Sequence, residues 1–282
     1  MNPRLPYGAG LGFRRELIAD LNEGVPDPVA FFEIAPENWA GMGGRSARDL
    51  RRFTERYPFV CHGLSLSLGG PGGLDTALLH RIRAFMAEHG IGLYTEHLSW
   101  CADDRQLYEL LPIPLTSDAV RWTAARIRQA QDILGCRIGI ENASYYVAPP
   151  GAEMSEAEFI AAVVAEADCL LHLDVNNIYV NSRNFGFDAL DFLHALPLDR
   201  TCYIHVAGHY VEADGLLLDT HGAPVIDPVW GLLAAAYQGI GRVVPTCLER
   251  DFNIPGLAQL AVEVGDIARL QAAAAAGERQ VA

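Results

Sequence analysis

The chain has 282 residues, half of them hydrophobic, which is enough to bury a large core in one domain of the size that α/β barrels reach. Lys plus Arg number 21 against 35 Asp plus Glu, a formal charge of −14, so a duplex phosphate backbone meets net repulsion and nucleic acid is disfavoured as a partner. No apolar run approaches the roughly 20 residues a bilayer requires, the N-terminus lacks an apolar signal-peptide segment, and the six cysteines form no CxxC pair, which together predict a reduced cytoplasmic protein.

The first strand is expected in the Gly-rich run Tyr7 to Phe13, with a helix from Arg14 to Glu23. Val29 to Ile34 is a second strand and ends where Pro36 forbids further pairing, at the polar loop Glu37-Asn38-Trp39. A basic amphipathic helix follows over Ser46 to Tyr57. Pro58 to Ser67 is strand three. The glycines of 69 to 73 have neither GKS nor GxGxxG spacing and read as a wide turn into a helix ending near His89. Ile91 to Ser99 is strand four, and a long connection through Leu-Pro-Ile-Pro-Leu leads to a helix over Ser117 to Leu134. Cys136 to Glu141 is strand five. Ser155 and Glu158 form a capping box for a helix reaching Ala167. Cys169 to Leu173 is the apolar run of strand six and delivers Asp174, Asn176 and Asn177 into a polar turn. Helix six is expected at Phe187 to Leu196, strand seven at Cys202 to Ala207, helix seven at Asp227 to Tyr237, strand eight at Val243 to Leu248, and the last helix at Pro255 to Gln271.

Eight strand-helix units in this length predict a closed parallel (β/α)₈ TIM barrel as a single domain over residues 1–272, with 273–282 as a frayed Ala-rich tail. The strands should end near Phe13, Ile34, Gly63, His97, Glu141, Asp174, Ala207 and Glu249. In such barrels chemistry sits at those ends.

Consecutive strands from the third to the eighth each bring one metal-ligating residue type to the rim: His62, His97, Glu141, Asp174, His205 and Glu249. Imidazoles and carboxylates converging on one axis with no compensating Lys are electrostatically intolerable without cations. Metal ions explain the set most simply, and the mixture suits zinc, iron or manganese. Glu141 lies between the His62/His97 side and the Asp174/His205/Glu249 side and is the expected bridge. Asp174 with Asn177, and Asp219 with His221, have spacings that can form a further site. His209 belongs at the mouth as a ligand or an acid/base group, and with His62 and Asp174 it is a candidate catalytic residue. Other polar residues have plainer readings. A lone His is more often a hydrogen-bonded structural residue, the class expected for His80, His89, His172 and His194. Glu33, Glu37 and Asn38 read equally as caps or as groups supporting the site, and Arg250 and Asp251 as partners of neighbouring charges.

The motifs His-Gly-Leu-Ser-Leu-Ser-Leu-Gly (62 to 69), Thr-Glu-His-Leu-Ser-Trp (95 to 100), Glu-Asn-Ala-Ser-Tyr (141 to 145), Leu-Asp-Val-Asn-Asn-Ile-Tyr-Val-Asn (173 to 181), His-Val-Ala-Gly-His (205 to 209), Asp-Thr-His-Gly (219 to 222) and Leu-Glu-Arg-Asp-Phe-Asn-Ile-Pro (248 to 255) span nearly the whole chain. In them the chain resembles the multinuclear non-haem iron-dependent oxidative enzymes, the family that includes the methanobactin-biosynthesis oxygenase. The resemblance implies a xylose isomerase-like TIM barrel binding two or three iron ions, with zinc or manganese as possible substitutes. It also implies an O₂-dependent oxidoreductase acting on cysteines of a ribosomally made precursor peptide, with a separate peptide-recognition protein as partner. Laid against the related trinuclear-zinc apurinic endonucleases, Glu141, Asp174, His205 and Glu249 would hold one metal, and His62, His97 and Glu141 a second. Asp219 and His221 would hold a third, where Asn177 replaces a histidine of the endonuclease pattern. A divalent-metal phosphoesterase and a sugar isomerase are the alternative activities for the same barrel, and a non-catalytic metal-binding role is the third reading.

Overall fold

The computed structural model describes residues 3–103 and 105–281. Its strands, in chain order, are β1 (Ala9–Gly12), β2 (Phe31–Ile34), β3 (Phe59–Gly63), β4 (Tyr94–His97), β5 (Trp100–Ala102), β6 (Gln106–Leu111), β7 (Gly139–Glu141), β8 (Leu170–Asp174), β9 (Thr201–Val206), β10 (Tyr210–Val211), β11 (Leu217–Leu218) and β12 (Thr246–Leu248). Eight of them close into an all-parallel barrel in the order β1, β12, β9, β8, β7, β4, β3, β2. The strand ends anticipated from the apolar-run-to-polar pattern fall within one residue of those observed. The helices are α1 (Ile18–Glu23), α2 (Gly44–Thr54), α3 (Thr76–His89), α4 (Ser117–Leu134), α5 (Glu156–Ala167), α6 (Val175–Phe185), α7 (Ala189–Ala195), α8 (Asp227–Ile240) and α9 (Leu257–Val281).

Strand side chains alternate faces, so each barrel strand sends every second residue inward. The outward set, including Leu11, Phe32, Phe59, Ile140, Leu171, Ile204 and Leu248, joins the large core beneath the helices. The inward set has its own small apolar cluster of Phe31, Val60, Leu93, Tyr203 and Cys247. Two residues further along the same strands come Glu33, His62, Thr95, His205 and Glu249, so the inward sequence turns polar at one level all around the barrel. Strand register aligns the levels: His97 pairs with Glu141, and Asp174 with His205.

Several segments differ from expectation. Asp174 does not open a polar turn; its Oδ1 accepts the Asn177 N–H at 2.7 Å and caps α6, which starts at the next residue. α6 then ends at Gly186, whose φ of 77° suits glycine, and Asp188 caps the separate α7, so the helix expected over Phe187 to Leu196 is only the second of two. The connections between β4 and α4 and between β9 and α8 each carry a two-stranded hairpin, β5–β6 and β10–β11. The helix expected to stop at Gln271 continues to Val281, and Ala274 still packs against the core. Among the described residues no disulfide joins the cysteines, and no helix is long and apolar enough to cross a membrane.

Gly10 is the inward residue of β1 beneath the polar level, and a Cβ there would lie 2.3 Å from the Phe31 ring. Phe31 is wholly buried and has nowhere to retreat. Gly10→Ala should therefore destabilise the protein by about 1–3 kcal/mol. Gly231→Ala on α8, where a Cβ meets nothing within 4 Å, should stabilise it by about 0.5–1 kcal/mol. Urea unfolding of the two variants reads both signs, and equal effects would contradict the filled barrel floor.

Candidate metal centre

Glu141, at the end of β7, is the hub of the polar level. Its Oε2 lies 3.1 Å from His62 Nε2 and 3.5 Å from His97 Nε2, while its Oε1 lies 3.3 Å from His205 Nδ1. One oxygen thus faces β3 and β4, and the other faces β9. His205 Nδ1 also approaches Glu249 Oε2 at 2.9 Å and Asp174 Oδ2 at 4.0 Å. All of these groups except His97 are buried, and Asp174 and His205 completely so.

The rings are held from behind. Thr95 Oγ1 meets His62 Nδ1 at 2.8 Å, and His97 Nδ1 donates to the Gly63 carbonyl at 3.1 Å. Both rings therefore present Nε2, and the two nitrogens sit 3.3 Å apart. Glu33 Oε2 accepts from His205 Nε2 at 2.7 Å, which leaves Nδ1 for the Glu141, Asp174 and Glu249 oxygens. Donors bound to one ion at about 2.0–2.1 Å lie about 3.0–3.4 Å from each other. The spacing of His62, His97 and Glu141 matches that edge length.

Electrostatics explain why the level needs a counter-charge. Burial alone would raise the Glu141 carboxyl, but the surrounding imidazoles outweigh it and hold the group well below the usual carboxylate range. Glu249 is lowered in the same way, with His205 and His221 overcoming burial. Burial would lower the imidazoles, yet Glu249, Glu33 and Glu141 push His205 well up, and Glu141 and Glu96 bring His97 to about 9. Asp174 goes the other way: burial, then Glu141 and Asp219, drive its carboxyl well above the ordinary range. Protons on imidazole and on Asp174 thus do what cations do in a metal site. Glu141 Oε2 and Asp174 Oδ2 are buried with no hydrogen-bond partner, as is the Asn177 oxygen. Glu141, Asp174, His205 and Glu249 offer buried ligand atoms within 4.8 Å of one another, a donor set that fits divalent metal.

A second cluster forms where the loop after β9 returns over the mouth. Asp219 Oδ1 lies 2.7 Å from His221 Nε2, and His221 Nδ1 lies 3.0 Å from Asp251 and 3.5 Å from Glu249. His221 and His97 are the two rings that keep a solvent-facing edge, at 15 % and 16 % side-chain exposure. Asp251 accepts from Arg14 Nε at 2.8 Å, whereas Arg250 turns away to Glu263 at 2.6 Å. Asn177 donates through Nδ2 to the Asn142 carbonyl at 3.0 Å, leaving its oxygen free.

His62, His97, Glu141, Asp174, His205 and Glu249 are thus brought together, with Asp219 and His221 in the adjoining cluster. His209 is at the mouth, its Nδ1 2.8 Å from Asn176 Oδ1. His89 is bonded to Thr54 at 2.9 Å, and His80 and His194 are exposed on helices. His172 lies directly under the centre with both ring nitrogens unpartnered, 3.8 Å from Glu141 Oε2. Burial and the neighbouring His205 keep it neutral, so that approach is not an ion pair. Glu37 braces the loop after β3 by accepting from Leu64 N and Ser65 Oγ. Thr95 and Asp251 were not placed at the site from sequence, and Asn176 was placed only in the polar turn after the strand, with no role of its own. Thr95 lies two residues before His97 on β4, a spacing that could have found it; Asp251 carries no comparable signal.

Residues 8–272 match the family described as RiPP precursor modification enzyme MbnB/TglH/ChrH. A UPF0276 protein of Nitrosospira multiformis is 62% identical over 270 residues, covering 96% of this chain and 95% of its own, and one of Alcanivorax borkumensis is 55% identical over 273 residues, covering 94% and 91%. Among solved structures, D-psicose 3-epimerase from Clostridium cellulolyticum aligns with a TM-score of 0.59 at 10% identity, covering 98% of this chain and 99% of that one. Endonuclease IV from Thermus thermophilus aligns with 0.53 at 18%, covering 94% and 97%. The two solved structures bear on the fold alone, a closed parallel TIM barrel. The match along the chain and the close relatives establish that this protein belongs to the MbnB/TglH/ChrH family of RiPP precursor modification enzymes.

Proposed function

We propose that the protein is an iron- and O₂-dependent oxidoreductase that modifies a cysteine of a ribosomally made precursor peptide, presented to it by a separate recognition protein. The observation that carries this reading is the buried layer around Glu141, whose orphaned oxygens call for cations inside a member of a peptide-modifying family. Glu141, Asp174, His205 and Glu249 would hold one iron, and His62, His97 and the other oxygen of Glu141 a second. Asp219 and His221 would hold a third, with the Asn177 oxygen as a weak further donor. Bound there, iron would supply affinity for a thiolate and redox chemistry toward O₂, with zinc or manganese able to occupy the same donors without that chemistry.

The chain's own residues do the rest. Thr95, the Gly63 carbonyl and Glu33 lock the ring orientations of His62, His97 and His205, so the donor atoms are in place before any metal or substrate arrives. The apolar floor keeps water out from below, and Asp174 and His205 are completely buried above it. His97 and His221 mark the open edge at which a peptide side chain can enter.

Metal analysis tests the assignment. Glu141→Ala should lose more than one ion per chain relative to wild type, because each of its oxygens faces a different set of donors; full metal content in that variant would defeat the bridging role. Glu33→Gln should leave the ligand set intact and weaken metal affinity by about 10–100-fold in chelator competition.

The activity has its own test. Anaerobically iron-loaded protein, given O₂ and a Cys-containing precursor peptide encoded beside its gene, should change the peptide's mass, with no change when O₂ is withheld. His62→Ala and Asp174→Ala should abolish that change while circular dichroism still reports a folded barrel. If the iron form leaves such peptides untouched while the zinc form cleaves an abasic-site duplex, the phosphoesterase reading replaces this one.

A further inference from the structure

Asn176, in the first turn of α6, is completely buried and stands between two groups at the mouth. Its Nδ2 donates to Asp219 Oδ1 at 2.7 Å, and its Oδ1 meets His209 Nδ1 at 2.8 Å. The amide can face only one way. A carboxylate accepts and does not donate, and Asp219 Oδ2 also takes the Ser144 hydroxyl at 3.0 Å, so the NH₂ end belongs to Asp219. The oxygen end then faces the imidazole, and His209 Nδ1 must carry the hydrogen. That leaves Nε2 as a lone pair. The Tyr179 ring covers one side of the imidazole, with centroids 5.3 Å apart and planes at 32°, which restricts its rotation. Burial lowers the His209 pKa and outweighs the opposing charge of Asp219, while α6 offers it only the neutral Asn176 and Tyr179.

We propose that Asn176 is a positioning residue that fixes His209 as its Nδ1–H tautomer, so that His209 Nε2 takes the proton of the incoming cysteine thiol. The S–H bond breaks, the proton joins Nε2, and the electron pair stays on sulfur. The products are a thiolate and an imidazolium whose Nδ1–H remains on Asn176. This rests on the cysteine-directed reading given above. A thiol with a pKa of about 8.5 is mostly protonated at neutral pH, so a base beside the entry edge removes a barrier that the metal donors themselves do not address. If the same contacts only tie the 208–225 loop to α6, they have no reason to leave Nε2 free.

Two measurements decide it, both without turnover. Long-range ¹H–¹⁵N NMR of histidine-labelled, zinc-loaded protein should show His209 protonated on Nδ1, and Asn176→Leu should give a mixture of tautomers; an Nε2–H tautomer in wild type would overturn the proposal. Calorimetry of N-acetylcysteinamide binding to the anaerobic ferrous protein, in two buffers of different ionisation heat, counts released protons. Wild type should release fewer protons per thiol bound than His209→Gln, because the thiolate formed beside the imidazolium offsets the burial that disfavours its charge, with metal content confirmed equal in both. Thiol binding with the same proton count in wild type and variant would remove the role of His209 alone. No thiol binding by any form would remove the cysteine-directed reading itself and the proposal with it. In turnover, His209→Gln should cost about 10²–10⁴-fold in kcat, and Asn176→Leu about 10–100-fold, with KM little changed.

Discussion

A carboxylate buried at the centre of a parallel barrel, with imidazoles on several sides, is the constraint from which the rest of this structure follows. Glu141 is 2 % exposed, and its oxygens face His62 and His97 on one side and His205 on the other. Each buried charge costs several kcal/mol of lost hydration, so the layer is stable only if opposite charge is supplied in the same small volume. Protons can supply it, as the raised His97, His205 and Asp174 show. Divalent cations supply more of it at once, and they also satisfy the oxygens that protons leave unpartnered.

That layer depends on the residues beneath it. The inward-facing Phe31, Val60, Leu93, Tyr203 and Cys247 fill the barrel floor and exclude water from below. Glycine at position 10 is what lets the Phe31 ring lie across the axis. His172 belongs to this floor, although it is a titratable group; burial and the charge on His205 hold it neutral, so it adds bulk without adding charge. The low dielectric so produced strengthens each contact above it, including the Glu33–His205 bond that chooses which nitrogen His205 presents.

The barrel and the inner donors were legible in the sequence for one reason: a buried parallel strand is a short apolar run, and its end is where a polar side chain first becomes tolerable. His62, His97, Glu141, Asp174, His205 and Glu249 all occupy that position. α6 was not legible, because Val-Asn-Asn-Ile-Tyr-Val-Asn has little intrinsic helix preference. Asn177 and Asn181 are held there by tertiary bonds to the Asn142 and Ala143 carbonyls. β10 and β11 have two residues each and β5 three, too few to show alternation. Arg250 and Asp251 pair with other charges, as their sequence reading has it, Arg250 with Glu263 and Asp251 with Arg14 and His221; the sequence did not show that His221 would be one of those partners.

The folding of one strand end directly into α6 also joins two parts of the site that the sequence keeps apart. Asp174 caps the helix, and the capped turn presents Asn176 to Asp219. Asp219 Oδ1 is shared between Asn176 and His221, while Oδ2 takes the Ser144 hydroxyl. A cation held by Asp219 and His221 would compete for the same lone pairs that orient the Asn176 amide, and through it the tautomer of His209. Charge at the outer cluster and proton acceptance at the mouth are therefore coupled through one carboxylate, and the short distance from Asp174 to Asn176 along the chain is what brings that coupling to the edge of the buried layer.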